Sequence, residues 1–512
     1  MTESLRPRRV REQNIGGLLE RLPGARLHGA AETGVTGITH DSRQVRAGDI
    51  YLARAGAHTH GIAHVAEAVA AGATAVLTDP PSVTTAVAAG ATAVVEVADP
   101  RAVTGAASAW VYQDPSSGLL VIGVTGTNGK TTTAYLVEAG LRAAGRPTGL
   151  IGTVETRIAD EKVPSMRTTP EATDLQALFA VMRERGVDAV AMEVSSHALA
   201  LDRVAGTTFG LAAFTNLSQD HLDFHTDMDD YFAAKARLFS PAYSPVGVVS
   251  IDDTWGRRLA AEAPIAITTV GAADHGPDWT RTDESVSPAG GTVTVVGPDG
   301  GRHLLDVALP GRFNLRNAAL AFVVLVQAGV SPADARRGIA GLARVPGRME
   351  RVDAGQPYPA LVDYAHTPEA VTVLLTEARG LTRDHGRVIA VLGCGGDRDR
   401  GKRPLMGAAL AAGSDVAVLT NDNPRSEDPA VILEAMAQGA RSVATGARLV
   451  IEPDRRAAIE TAVAEAGAGD VLVVAGKGHE QGQEVAGTIV PFDDRQVLRD
   501  ALTEHGYAVG AR

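Results

Sequence analysis

A single cysteine in 512 residues, Cys394, leaves no partner for an internal disulfide and no thiolate cluster for zinc. That scarcity fits a reducing compartment. No uninterrupted apolar run approaches the ~20 residues needed to cross a bilayer, and the basic start MTESLRPRRVREQ is not followed by the apolar segment of a signal peptide. The expectation is therefore a cytoplasmic protein with a solvated basic tail. Positive charge is not in excess either: the formal net charge of −12 argues against broad nucleic-acid binding, although an acidic chain can still carry a local basic cleft. Fixed-period repeats and long low-complexity tracts are absent as well.

What is present is a globular composition, with 45% hydrophobic and 21% charged residues and abundant alanine and glycine. The length predicts about two to four domains. Three blocks follow along the chain. The first, residues 1–112, alternates short apolar runs with Ala-rich helical stretches such as HVAEAVAAGATAVLTD, and reads as a small α/β domain. The second, 113–346, strings VDAVAMEV, FGLAAFTN and VGVVSID between helical segments, which is βαβ patterning and predicts a mostly parallel sheet. Within it, VSPAGGTVTVVGPDGGRHLLDVALPG reads as an antiparallel appendage. The third, 347–512, contains PALVDYAH, RVIAVLGCGG, DVAVLTND and DVLVVAGKG, each an apolar run ending in a polar or glycine turn. In open α/β sheets ligands bind at such carboxyl ends.

The second block opens with LLVIGVTGTNGKTTT. An apolar strand feeds a loop with Gly126 and Gly129, and Lys130, Thr131 and Thr132 begin a helix. Glycines let backbone N–H groups wrap phosphate oxygens, the helix N-terminus adds its positive end, Lys130 neutralises charge, and the Thr131 hydroxyl can join Mg²⁺. The common G-x-x-x-x-G-K-[ST] pattern is not strictly met, since Val124 stands in the first glycine's place. A structural glycine turn is the plainer reading, but G-T-N-G-K-T-T between strand and helix predicts triphosphate binding.

The stretch TNDNPRSEDP, 420–429, places two prolines, three carboxylates and an arginine where a strand hands over to a helix. Proline fixes φ and removes a donor, so Asp422, Asn423 and Arg425 are presented on a stiff turn. Ser426 or Asp428 capping the helix PAVILEAMAQGA would account for part of it.

GVTGTNGKTTT resembles the ATP loop of the Mur ligase family, the amide-bond-forming ligases of peptidoglycan precursor synthesis, and that of related folate-polyglutamylating enzymes. RTTP (167–170), MEVSSHAL (192–199), FTNLSQDHLDFH (214–225), YFAAKARLF (231–239), GRFNLRNAALA (311–321), GRME (347–350) and DYAHTP (363–368) are family-like too, so the resemblance spans nearly the whole chain. DSRQVRAGDIYLA (41–53), GCGGDRDRGKRPLM (393–406), DNPR (422–425) and GKGHE (476–480) resemble its diaminopimelate-adding branch.

The resemblance implies an α/β protein of three domains: an N-terminal UDP-sugar domain, a central P-loop ATPase with a mostly parallel sheet, and a C-terminal Rossmann-like, amino-acid-binding domain. It implies ATP-dependent joining of meso-diaminopimelate to the D-glutamate γ-carboxylate of UDP-MurNAc-L-Ala-D-Glu through an acyl phosphate, with Mg²⁺, by a cytoplasmic monomer without nucleic-acid or membrane partners. By the same resemblance Lys130, Glu193, His221 and Lys235 are catalytic. Thr131, Glu193, His221 and Lys235 hold metal, Lys235 after reaction with CO₂ to a carbamate. ATP meets Thr125, Gly126, Thr127, Asn128, Gly129, Lys130, Thr131 and Thr132, with Asn314, Arg348, Asp363 and His366. Ser42 lies at the uridine end, and Thr168, Thr169, Ser195 and Arg203 surround the muramoyl dipeptide. Leu201 departs from the polar glutamine often found two residues before that arginine, and Thr168 and Thr169 before Pro170 could instead cap a helix.

The DNPR turn then has a reason. Arg425 can take the distal carboxylate bidentately while Asp422 and Asn423 hold the distal ammonium, with Pro424, Arg398, Gly476 and Glu480 completing the pocket. Lysine lacks that carboxylate. The alternatives are an L-lysine-adding ligase of the same family, a folate-polyglutamylating ligase, or a non-catalytic nucleotide switch. A switch has no need of Glu193, His221 and Lys235.

Overall fold

The apolar runs bounded by glycine and polar turns fold as parallel strands because each is buried on both faces, a setting that favours continuous Val, Ile, Leu and Ala over strict alternation. The computed structural model describes residues 5–56, 59–163 and 167–507. Near the N-terminus, strands Arg26–Gly29, Ala93–Glu96, Ala75–Thr78, Asp49–Ala53 and Gly37–Thr39 form a five-stranded sheet in that order, parallel except for the first. Ile50 and Leu52 enter one core and Tyr51 and Ala53 the other, so both faces are covered.

The central sheet has eleven strands. It is parallel from Thr148–Ile151 through Ala189–Glu193, Leu120–Thr125, Leu211–Phe214, Val246–Ser250 and Ala266–Ala272 to Trp279–Ser287. The segment expected as an antiparallel appendage is antiparallel, through Gly290–Val296 and Arg302–Val307, but it extends the edge of this same sheet. Helices Lys130–Ala143 and Arg312–Gln327 cover one face, and Ala172–Glu184 the other. The third sheet orders Glu350–Arg351, Ala360–Asp363, Val471–Ala475, Val388–Leu392, Val416–Leu419 and Arg448–Ile451, parallel after the first strand. No described helix is long and apolar enough to cross a membrane.

Register decides where the loops go. Glu193 pairs with Val124 and Phe214 with Thr125, so the carboxyl ends of three central strands are level. In the third sheet Asp363 and Leu392 both pair with Ala475, and Leu392 with Leu419. The loops beginning at 126, 194 and 215, and those at 364, 393, 420 and 476, therefore leave at two common levels.

Candidate active site

The loop between strand Leu120–Thr125 and helix Lys130–Ala143 has Gly126 at φ 143° and Gly129 at φ 86°, both in backbone territory that favours glycine. A Cβ at Gly129 would lie 2.4 Å from Asn317 Oδ1, so glycine is also required by space. No side chain caps the helix, which leaves its first N–H groups directed at the loop. Lys130 Nζ folds back onto the carbonyls of Gly126 (2.9 Å) and Thr127 (2.8 Å). Thr127 is held by the Ser218 carbonyl and the Tyr231 hydroxyl, and the Asn128 side chain by Ser218. Thr132 is buried behind them.

Two buried polar atoms here, Thr125 Oγ1 and Arg348 Nε, have no hydrogen-bond partner. Arg348 arrives from beyond the central sheet, lies 4.7 Å over the Tyr364 ring, and donates through Nη2 to Thr131 Oγ1 at 3.0 Å. An uncapped helix N-terminus, a lysine and an unsatisfied guanidinium suit a polyphosphate.

Thr131 in turn donates to Glu193 Oε2 at 2.9 Å, and Thr153 donates to both Glu193 oxygens, through N–H at 2.7 Å and Oγ1 at 3.1 Å. Lys235, on helix Met228–Ala236, is 1% exposed, donates to the Gly126 carbonyl at 2.7 Å, and sits 4.6 Å over the Tyr231 ring. Burial, then the charge of Lys130, pushes its pKa well below the usual lysine range. His221 has φ 55° and pairs with Asp220 at 3.3 Å, and burial lowers its pKa to about 4, so the ring is neutral at pH 7. Among the described residues no group of three or more His, Cys, Asp or Glu side chains converges at metal-binding distance. The structure thus joins Thr131 with Glu193 and places Lys235 on the loop, while His221 lines the adjoining cavity.

The Thr169 hydroxyl donates to the Glu193 carbonyl (2.9 Å) and accepts from the Ser195 N–H (3.1 Å), while Ser195 caps helix Ser196–Ala200. Thr168 meets Thr153 at 2.9 Å. The helix-capping alternative for these threonines is not realised, since Glu171 occupies the N-cap of Ala172–Glu184. Leu201 caps the far end of the Ser196–Ala200 helix through its backbone. Arg203 pairs with Glu171 at 2.8 Å, as do Arg54 at 3.1 Å and Arg167 at 2.6 Å. Burial raises the Glu171 pKa, but Arg203, Arg54 and Arg167 outweigh it and hold the carboxyl below its ordinary range. Arg54 brings the first sheet into this cluster. Sequence reading missed it and Glu171, which lie 117 residues apart with no local signal. Ser42 is buried in the first sheet's domain, donating to Glu67 at 3.3 Å.

Asn314 is fully buried and donates to the Pro310 carbonyl at 2.8 Å, so its neighbour Asn317 is the amide against the loop. Asp363 accepts from the N–H groups of Met349 and Ala365, both at 2.8 Å, and burial raises its pKa. His366 donates through Nδ1 to the Tyr364 carbonyl at 2.9 Å, and burial lowers its pKa.

A cavity of about 870 Å³ is lined by His221 together with Arg398, Asp422, Asn423, Arg425, Gly476 and Glu480. Arg425 adopts φ 52°, pinned by its N–H to the Glu484 carbonyl (3.0 Å) and its carbonyl to Ala486 (2.7 Å). Its Nη1 donates to the Gly396 carbonyl at 2.7 Å and its Nε lies 3.4 Å from Glu484. Backbone strain at a clefted arginine is the kind found at binding sites. Asp428 caps helix Pro429–Ser442, as the sequence suggested. The Pro424 carbonyl lies 2.0 Å from where a Cβ on Gly396 would be, so glycine permits the close approach. Gly476 has φ 110°, and a Cβ there would be 2.8 Å from Asp422. Lys477, also missed in the sequence, is wholly buried among Asp422, Asn423 and Glu480.

Three family models match the chain: the catalytic domain of the Mur ligase family over 34–111, the Mur ligase middle domain over 124–325, and the Mur ligase glutamate ligase domain over 347–478. A UDP-N-acetylmuramoyl-L-alanyl-D-glutamate–2,6-diaminopimelate ligase of Streptomyces coelicolor is 55% identical over 500 residues, covering 97% of this chain and 98% of its own. One of the same description from Corynebacterium glutamicum is 48% identical, covering 96% of both. A solved structure of a ligase so described superposes with a TM-score of 0.68 at 31% identity, over 97% of this chain and 100% of its own.

Proposed function

The chain belongs to the Mur ligase family, and we propose that it joins meso-diaminopimelate to the D-glutamate γ-carboxylate of UDP-MurNAc-L-Ala-D-Glu at the expense of ATP. The supporting observation is that one cavity is lined both by His221, from the loop after strand Leu211–Phe214 of the central sheet, and by Asp422, Asn423 and Arg425 of the DNPR turn in the C-terminal block. The likeness to diaminopimelate-adding relatives at 55% identity supports the choice of substrates.

Residues 1–112 serve the UDP-sugar, with Ser42 at the uridine end. Residues 113–346 serve ATP, and 347–512 the amino acid. The Thr169–Ser195 pair and the Arg54–Arg203 cluster offer hydroxyl and guanidinium donors to the muramoyl dipeptide. Lys130, the uncapped helix and Arg348 neutralise the phosphates as the carboxylate oxygen displaces ADP from the γ-phosphorus. Phosphate then leaves the acyl carbon as the amine of diaminopimelate attacks. Thr131, Glu193, His221 and a carbamate on Lys235 would hold Mg²⁺, which would screen the carboxylate from the triphosphate. Lys235, whose pKa burial pushes well below the usual lysine range, would take up CO₂ through Nζ as the free amine and release a proton, turning a buried amine into an anion. Arg425 meets the distal carboxylate and Asp422 the distal ammonium. The nucleotide-linked substrates support a cytoplasmic reaction, and the assignment of all these residues to one chain supports a monomer.

The test is phosphate release from ATP with UDP-MurNAc-L-Ala-D-Glu, comparing meso-diaminopimelate with L-lysine. Release with diaminopimelate alone is expected. Release with lysine alone transfers the chain to the lysine-adding branch, and release with no acceptor at all discards the ligase reading.

A further inference from the structure

Lys477 lies directly after strand Val471–Ala475, in the GKGHE turn, with none of its side chain exposed. Its Nζ donates to Asn423 Oδ1 at 2.9 Å and to Glu480 Oε2 at 3.0 Å, and stands 3.5 Å from Asp422 Oδ1. An ammonium can only donate. The Glu484 N–H, also only a donor, reaches the same Asn423 oxygen at 2.9 Å. The Glu480 carboxylate accepts from Asn423 Nδ2 at 2.8 Å. These three contacts admit one orientation of the amide: oxygen toward Lys477 and Glu484, nitrogen toward Glu480.

Both lone pairs of Asn423 Oδ1 are thereby used, and one N–H of Nδ2 remains. Asn423 therefore reads an acceptor, which departs from the ammonium-holding role expected from sequence. Lys477 also cancels one of the two carboxylates, Asp422 and Glu480, that stand in the same wall. The wall that results carries one net acidic group for an ammonium, beside Arg425 and the Asn423 N–H for a carboxylate.

We propose that Lys477 is a specificity-positioning residue: by fixing Asn423 as a donor and halving the local acidity, it makes the pocket select an acceptor whose far end carries a carboxylate beside its ammonium. This rests on the amino-acid pocket assigned above. A lysine substrate leaves the Arg425 and Asn423 donors without an acceptor, and unpaired buried donors are what a polar site rejects most strongly.

The experiment is the ratio of kcat/KM for meso-diaminopimelate to that for L-lysine in wild type, Lys477→Met and Asn423→Asp. Lys477→Met removes the charge and releases the amide. Asn423→Asp keeps an acceptor for Lys477 and Glu484 but abolishes the donor. Both are expected to lower the ratio by roughly tenfold or more. The change should lie in the KM for diaminopimelate, with the KM for ATP retained. An oxygen of Asn423 that bound the ammonium would instead leave Asn423→Asp as selective as wild type or more so, and that result overturns the proposal. Should Lys477→Met fail to fold, Asn423→Asp decides alone. Wild type without preference for diaminopimelate removes the functional reading and this one with it. Preference preserved in Lys477→Met but lost in Asn423→Asp overturns the role of Lys477 and leaves the functional reading standing.

Discussion

At the scale of a residue, Lys235 is a cation with no carboxylate in contact and a second cation, Lys130, nearby. Holding an ammonium there costs its hydration without a compensating ion pair, so the amine is favoured, and only the amine attacks CO₂. The proposed carbamate would form from the unprotonated amine with release of a proton, so its occupancy would rise with pH and with dissolved CO₂. Activity measured in CO₂-depleted buffer is expected to fall and to return with bicarbonate. Lys235→Ala should lose on the order of 100-fold in kcat at any bicarbonate level. Equal rates with and without CO₂ would count against the carbamate. None of this was legible in DYFAAKARLF by pattern: a helical lysine reads as a surface group, and what buries it, the Gly126 carbonyl, comes from 109 residues earlier.

At the scale of an element, the apolar runs foretold the strands because two-faced burial is written into composition, and the turns after them supply the loops that line the cavity. Register supplied what composition could not. Pairs such as Arg54 with Glu171 become visible only once two sheets are docked, since neither residue signals the other. The phosphate loop was the most legible element because its backbone constraint is local, with Gly129 at φ 86°, whereas the lack of room for a side chain there comes from the distant Asn317. Gly129→Ala is expected to raise the KM for ATP at least tenfold, because alanine in left-handed backbone costs about 1–3 kcal/mol and the methyl displaces the loop. Gly145→Ala is the control. It has a similar φ of 77° with nothing within 4 Å, so it should lower the melting temperature and leave the KM for ATP unchanged. An equal effect of the two on ATP binding would refute the loop's steric role.

At the scale of the molecule, Arg348 reaches from the residues preceding the third sheet to Thr131 of the central one, and its guanidinium is held over Tyr364 beside the DYAHTP turn. The Thr131–Glu193 pair and the Tyr364 turn thus share one cation, so docking of the C-terminal sheet completes the phosphate side. Asp363 supports this by accepting from the Met349 N–H next to it. Arg348→Lys keeps the charge and loses the fork that allows a hydroxyl, a ring face and a phosphate to be met together. A charge-assisted contact of this kind contributes about 1.5–3 kcal/mol, so kcat is expected to drop roughly 10- to 100-fold. If the contact serves the reacting state, kcat and kcat/KM fall together. A rise in the KM for ATP with kcat intact would mean that Arg348 binds the ground state equally well, and the coupling between the two sheets would then rest on something other than this arginine.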